Sequence, residues 1–195
     1  MTARHRAAAL TVGLALLLET GCAKTTSGSG THATTPASGR PSSAPSTAAT
    51  TGSGLVPYKG DHFTVSMPGT PVKSSQPLST AAGPVELIVL TVEKDDSAFL
   101  VGYTDYPAGM QLDLNGAARG SANNMKGQLA DVKRVTYRGA PAVDFRVVKA
   151  GGSATGFQRV FVVDGRLYEL LAVVPGPDVK IPPAEYPLMR DSLTF

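Results

Sequence analysis

The stretch that decides the fold is Phe157 to Val174, FQRVFVVDGRLYELLAVV. Two apolar runs flank Asp164-Gly165, a pair whose backbone readily adopts the positive φ angles of a type I′ hairpin turn. A two-residue loop at this point sets Phe161 opposite Tyr168. Because nearly every position is apolar on both faces, we predict that this hairpin lies centrally in an antiparallel sheet.

Composition divides the 195 residues into three parts. Residues 1–21 have the layout of a signal peptide, and residues 22–57 are rich in Ser, Thr, Ala, Gly and Pro. Aromatic residues and alternating patterns begin after that, so residues 58–195 are predicted to form a single folded domain. The middle part cannot bury enough apolar surface to order itself, and it is predicted to be a disordered tether.

The formal net charge of +3 comes from the segment ahead of the predicted domain. That segment holds Arg4, Arg6, Lys24 and Arg40 against Glu19 alone. Acidic and basic side chains therefore balance in residues 58–195. A domain without net charge has no electrostatic footprint for nucleic acid, so nucleic acid is excluded as a partner.

Chemically reactive side chains are scarce. Cys22 is the only cysteine, and His62 is the only histidine after the tether. A disulfide framework and a multi-histidine metal site are therefore excluded, and no cofactor is expected. No nucleophile, phosphate-loop or dinucleotide motif occurs either, so we expect a protein that is not an enzyme.

The N-terminus predicts a lipid anchor. An apolar run of 12 residues, 7–18, follows a short basic segment and is too short to span a bilayer. The next residues, LETGC at 18–22, resemble a bacterial lipobox, in which Cys22 is diacylated and becomes the first mature residue. Glu19 departs from that motif, where leucine is usual. The alternative is ordinary secretion with cleavage near Ala23. A diacylated Cys22 would place the domain on the extracytoplasmic face of the cell membrane.

The tether has two interpretations. A flexible chain of this length spans roughly 30 to 35 Å, which would lift the domain off the membrane as a plain spacer. Its clustered Ser, Thr and Pro also suit O-glycosylation.

Periodicity and turn residues predict the order of elements in the domain: strands, a helix, four strands and a last helix. The predicted helix 112–129 begins at Asp113, a plausible N-cap. The fold class that follows is α+β, an antiparallel sheet covered by helices. The predicted strands are 63–67, 72–80, 85–94, 98–106, 132–137 and 142–148 together with the hairpin, and the last helix is 184–192.

Short motifs along the domain resemble the PsbP-like superfamily, which includes actinobacterial lipoproteins of the LpqN type. The motifs are FTVSMPGTP (63–71), YTDYP (103–107), GAA (116–118), GAPA (139–142) followed by Asp144-Phe145, RLY (166–168) and DSLTF (191–195). The resemblance implies an α/β/α sandwich and a role in binding or assembly. It supplies no catalytic residue.

The binding candidates are Tyr103, Asp105 and Tyr106, near the end of a strand that runs into a Pro-Ala-Gly loop. Aromatic rings beside a carboxylate at a loop mouth suit a polar ligand or a peptide. The same residues also suit a strand end closed by ordinary packing. Paired carboxylates, for instance Asp105 with Asp144, would suit glycoside chemistry, but each is more simply a surface charge or an arginine partner.

We therefore expect a monomeric, membrane-anchored extracytoplasmic lipoprotein whose domain binds a partner protein or an envelope component. The alternative is a carrier of a lipidic or aromatic small molecule in a cavity between sheet and helix. The glycines of the predicted helix 112–129 motivate this second function. An envelope hydrolase is the least favoured of the three.

Overall fold

The computed structural model describes residues 54–80, 83–107 and 110–195. The predicted signal peptide, Cys22 and nearly all of the predicted tether lie outside the described residues. Among those described, no helix is long and apolar enough to cross a membrane.

Within the described residues, nine strands and two helices follow one another in the predicted order, with β1–β5 before α1, and β6–β9 between α1 and α2. The strands are β1 Val56–Lys59, β2 Thr64–Met67, β3 Val72–Thr80, β4 Gly83–Lys94, β5 Ser97–Asp105, β6 Gly127–Tyr137, β7 Ala140–Lys149, β8 Ala154–Val163 and β9 Arg166–Pro175. The helices are α1 Leu114–Asn124 and α2 Glu185–Ser192. The strand β1 begins two residues ahead of Tyr58, where the predicted domain starts.

Seven strands form one antiparallel sheet in the order β3-β4-β5-β9-β8-β7-β6. The prediction of an antiparallel sheet with two helices is confirmed. The strand β9 is in the middle of this order, so the hairpin β8–β9 occupies the centre as predicted. The strands β1 and β2 form a separate antiparallel pair.

The turn of the central hairpin has the predicted geometry. Asp164 and Gly165 have φ angles of 51° and 78°, and the register sets Phe161 opposite Tyr168. Both φ angles are positive, as a type I′ turn requires, and this turn matches the right-handed twist of the two strands. The local sequence therefore determines both the hairpin and its register.

The two faces of the sheet carry separate apolar clusters. On the first, called the α1 face, Val160 and Leu171 share a cluster with Ala118 of α1. On the second, the α2 face, Tyr168 shares a cluster with Met189 of α2. Alternation along the central strands explains the division, because successive side chains point to opposite faces.

The pair β1–β2 packs on the α2 face together with α2. Val65 and Met67 of β2 belong to the α2-face cluster. The backbone N–H of Ser66 donates to Ser192 Oγ at 2.7 Å, and Thr64 forms an isolated antiparallel bridge with Thr194. The start and the end of the described chain are thereby joined on one face.

The predicted helix 112–129 is wrong at its C-terminal end. Asp113 is the N-cap as predicted, and its side chain accepts from the N–H of Asn115, but α1 ends at Asn124. Lys126 has a φ of 50°, which turns the chain out of the helix. Residues 127–129 then pair with β7, so β6 is longer than the predicted strand 132–137.

Candidate functional site

The candidate site begins with an ion pair between neighbouring central strands. Asp105 at the end of β5 stands opposite Arg166 at the start of β9. Arg166 Nε lies 2.5 Å from Asp105 Oδ1, and Arg166 Nη2 lies 2.8 Å from Asp105 Oδ2. This two-bond arrangement fixes the orientation of both groups.

In addition to its ion pair with Asp105, Arg166 contacts an aromatic ring. Its guanidinium carbon lies 5.1 Å from the centre of the Tyr103 ring, a cation–π distance. The backbone N–H of Tyr106 donates to the carbonyl of Gly165 at 3.2 Å, which ties the end of β5 to the hairpin turn. The ion pair therefore joins two neighbouring strands at the middle of the sheet.

A cavity of about 330 Å³ opens beside this ion pair. It combines charged groups with aromatic and aliphatic side chains. The residues that line it are His62, Asp105, Val163, Asp164, Arg166, Tyr168 and Phe195.

Aromatic rings form the floor of the cavity. The Tyr168 ring stacks on the Phe161 ring with a centroid distance of 5.3 Å and an interplanar angle of 8°. The Phe195 ring lies 5.0 Å from the Tyr168 ring, and Phe63 packs edge-on against Tyr168 at 5.7 Å. These ring contacts give the cavity an aromatic, largely apolar surface beside the charged groups Asp105, Asp164 and Arg166.

The two members of the ion pair and the neighbouring Tyr103 phenol all keep their charge states near neutral pH. The Arg166 guanidinium, by its hydrogen bonds, lowers the pKa of the Asp105 carboxyl below its ordinary value. The hydrogen bond to Asp105 raises the pKa of Arg166 in turn, and burial raises the pKa of the Tyr103 phenol to about 12. General acid–base catalysis needs groups that exchange protons near the working pH, and these three do not. Their arrangement suits recognition by fixed charge.

The structure brings two of the three predicted binding residues together. Tyr103 and Asp105 are two positions apart on β5, on the α2 face, where Arg166 contacts both. Tyr106 belongs to the opposite, α1-face cluster and is 8% exposed. It supports the turn through its backbone and presents no side chain to the cavity lining.

Sequence reasoning missed Arg166, His62 and Phe195 as members of the site. The useful signal was a basic residue directly after the hairpin turn. Its acidic partner is 61 positions earlier in the chain, and only the pairing of β5 with β9 brings the two together. The bridge between Thr64 and Thr194 likewise brings His62 and Phe195 to one place.

The carboxylates of Asp105 and Asp144 belong to different cavities. Asp144 accepts from Arg159 Nε at 2.5 Å and from Arg159 Nη2 at 2.6 Å, and it lines a second cavity of about 270 Å³. Each carboxylate therefore has an arginine partner, which is the simpler interpretation given above. Among the described residues, no group of three or more His, Cys, Asp and Glu side chains is arranged to hold a metal ion.

The second cavity is bordered by ion pairs that bind the chain ahead of α2 to the sheet. Arg146 donates to Asp131 at 2.6 Å, and its Nη1 donates to Asp178 and to the Val179 carbonyl, both at 2.8 Å. The Arg146 side chain is 7% exposed, whereas the Asp131 and Asp178 side chains are 56% and 50% exposed. This cluster explains how residues 178–179 are held in place.

Neither a protein-family model nor a curated protein matches the chain. Among solved structures, the chain is similar to the solution structure of cyanobacterial PsbP (CyanoP) from Synechocystis sp. PCC 6803. The identity is 13%, the match covers 72% of this chain and 91% of that chain, and the TM-score is 0.44. At this level the likeness carries no argument about the site.

Proposed function

We propose that this protein is a membrane-anchored extracytoplasmic lipoprotein of PsbP-like fold whose domain binds a partner protein or envelope component. Binding takes place without catalysis, in the cavity beside Asp105 and Arg166. The observation that carries this proposal is the ion pair itself, which joins two central strands beside a cavity lined in part by Tyr168 and Phe195. Its charges do not change near neutral pH, which favours recognition over proton transfer.

The anchor rests on the sequence alone. Cys22 occupies the position that a lipobox requires, after an apolar segment of signal-peptide length. Two acyl chains give stable membrane attachment, whereas one is marginal. The wild type should incorporate radiolabelled fatty acid and partition into detergent, and Cys22→Ser should do neither. A wild type that takes up no label would refute the anchor.

Binding at the cavity can be tested with a photo-crosslinking amino acid. We would place p-benzoylphenylalanine at Phe195, which lines the cavity and is 47% exposed. The matched control is the same residue at Ile181, which is 79% exposed and outside the cavity lining. Irradiation of host cells should give a discrete crosslinked product from position 195 only.

The same crosslink should weaken when the ion pair is broken by Asp105→Asn. Identical products from positions 195 and 181, or no product from position 195, would contradict binding at this cavity.

The carrier alternative places a small lipidic or aromatic molecule between the sheet and α1. The helix meets the sheet through small buried side chains, among them Ala118 at 0% exposed and Ser121 at 0% exposed. Close approach of this kind leaves little room, so we favour the cavity on the α2 face. Native mass spectrometry of protein purified from its host would reveal a co-purifying ligand. Turnover of esters or glycosides that Asp105→Asn abolishes would favour the envelope hydrolase instead.

A further inference from the structure

The ion pair presents its two partners unequally to solvent. The Asp105 side chain is 70% exposed, whereas the Arg166 side chain is only 10% exposed. The carboxylate has about four lone-pair sites, and Arg166 uses one on each oxygen. An incoming ligand therefore meets the Asp105 carboxylate, which accepts hydrogen bonds, and not the covered guanidinium.

A second carboxylate lines the same cavity. Asp164 is the first residue of the hairpin turn and is exposed. With Asp105 it sets two negative charges beside the largely covered positive charge of Arg166 and the imidazole of His62. With His62 counted as neutral, the lining is net negative, whereas the acidic and basic side chains of residues 58–195 balance as a whole.

Aromatic faces accompany these carboxylates. Phe195 lines the cavity and is 47% exposed, and the centre of its ring lies 5.0 Å from the centre of the buried Tyr168 ring. Carboxylates beside an exposed aromatic ring are the combination that stabilises an organic cation, through charge and through the quadrupole of the ring. Val163 adds an aliphatic surface for the carbon stem of such a ligand.

We propose that this cavity binds an alkylammonium cation, supplied by a lysine side chain of the partner polypeptide. This inference rests on the proposed function, binding of a partner at the same cavity, and assigns the chemistry of what is bound. Charge complementarity and the aromatic floor carry it. An acidic ligand would approach two exposed carboxylates, while Nε and Nη2 of the guanidinium already donate to Asp105 and the remaining nitrogen, Nη1, is buried.

The test is a titration of the purified full chain, followed by the NMR shifts of the Asp164 and Gly165 amides. The probe is a capped Ala-Lys-Ala tripeptide, and its neutral control has norleucine in place of lysine. Butylammonium chloride tests whether a free amine suffices. We expect the lysine peptide to shift both amides in a saturable way, and the norleucine peptide to leave them unchanged. A response to butylammonium equal to that of the lysine peptide would overturn the assignment to a polypeptide side chain.

Two variants that each remove one carboxylate, one inside and one outside the cavity, test whether the effect is local. Asp164→Asn should weaken lysine-peptide binding about fivefold, the effect of one charge near 4 Å in water. Asp96→Asn removes an exposed carboxylate at the β4–β5 turn, outside the cavity lining, and should leave the affinity unchanged. Equal losses in both variants would mean general surface attraction and would overturn the proposal.

A capped Ala-Glu-Ala peptide tests whether the cavity instead binds an acidic side chain. If it binds more tightly than the lysine peptide, Arg166 is the recognition group and the proposal is wrong. A crosslink from position 195 together with a silent lysine titration would refute this inference alone. A positive titration without any crosslink would instead refute partner binding.

Discussion

Glu169 offers the sharpest test of how this domain is stabilised. It lies on β9 on the α1 face and is 3% exposed. Ser121 Oγ of α1 is 3.0 Å from Glu169 Oε1 and 2.5 Å from Gln158 Oε1. One hydroxyl hydrogen cannot serve both acceptors, so a protonated Glu169 that donates to Ser121 Oγ satisfies the group best. The other carboxyl oxygen, Oε2, is buried without a hydrogen-bond partner among the described residues.

Burial raises the pKa of Glu169 from 4.5 to about 7. The folded state therefore holds this proton more tightly than the unfolded state. The resulting stabilisation is complete below pH 4.5 and is lost as the pH rises through about 7. At about 1.4 kcal/mol for each pH unit between the two values, the loss is about 3 kcal/mol. That is a large share of the roughly 5 to 15 kcal/mol that hold a domain together.

The perturbation is Glu169→Gln, which keeps the shape but cannot ionise. Urea unfolding at pH 5, 6, 7 and 8 gives the free energy of unfolding of each protein. We expect Glu169→Gln to gain about 3 kcal/mol relative to the wild type between pH 5 and pH 8. Glu86→Gln, at an exposed position of β4, is the control and should follow the wild type. A difference between Glu169→Gln and the wild type that does not change with pH would refute the reasoning.

Two further predictions concern the central hairpin. Tyr168→Ala should lower the free energy of unfolding by about 3 to 5 kcal/mol, because Tyr168 is 2% exposed and stacks on Phe161. Urea titration measures this, and Arg40→Ala, in the predicted tether, should change nothing; equal effects of the two would contradict the assignment. Gly165→Ala should cost about 1 to 2 kcal/mol, since residue 165 has a φ of 78°. Gly165→Asn should cost less in the same assay because asparagine tolerates this conformation, and the reverse order would count against the type I′ turn.

The hairpin and the order of the elements could be predicted because they depend on neighbours in sequence. A two-residue turn with positive φ angles determines the register of the strands on either side of it. The helix end could not be predicted in the same way. Met125 and Leu129 continue the apolar pattern of α1, yet Lys126 turns the chain and residues 127–129 pair with β7. Pairing with a distant strand overrode the local pattern.

The candidate site could be predicted only in part. An aromatic ring and a carboxylate at a strand end indicated Tyr103 and Asp105. The prediction grouped Tyr106 with them, but its side chain lies on the other face of the sheet, because successive side chains alternate along a strand. Arg166 became visible only when β5 paired with β9, because no local rule connects residues 61 positions apart.

The amino-acid sequence by itself determined the central hairpin and the order of strands and helices, and the lipid anchor at Cys22 stays a prediction from it. These follow from turn geometry, hydrophobic periodicity and a short motif, all of which act within a few residues. The tertiary structure decided which charges meet, which carboxyl is buried and where a cavity opens. Those outcomes depend on side chains that sheet pairing brings together from distant positions. Asp105 and Glu169 show the difference. Both are carboxylates on central strands, but Asp105 is exposed beside Arg166 at a strand end, whereas Glu169 is buried between the sheet and α1.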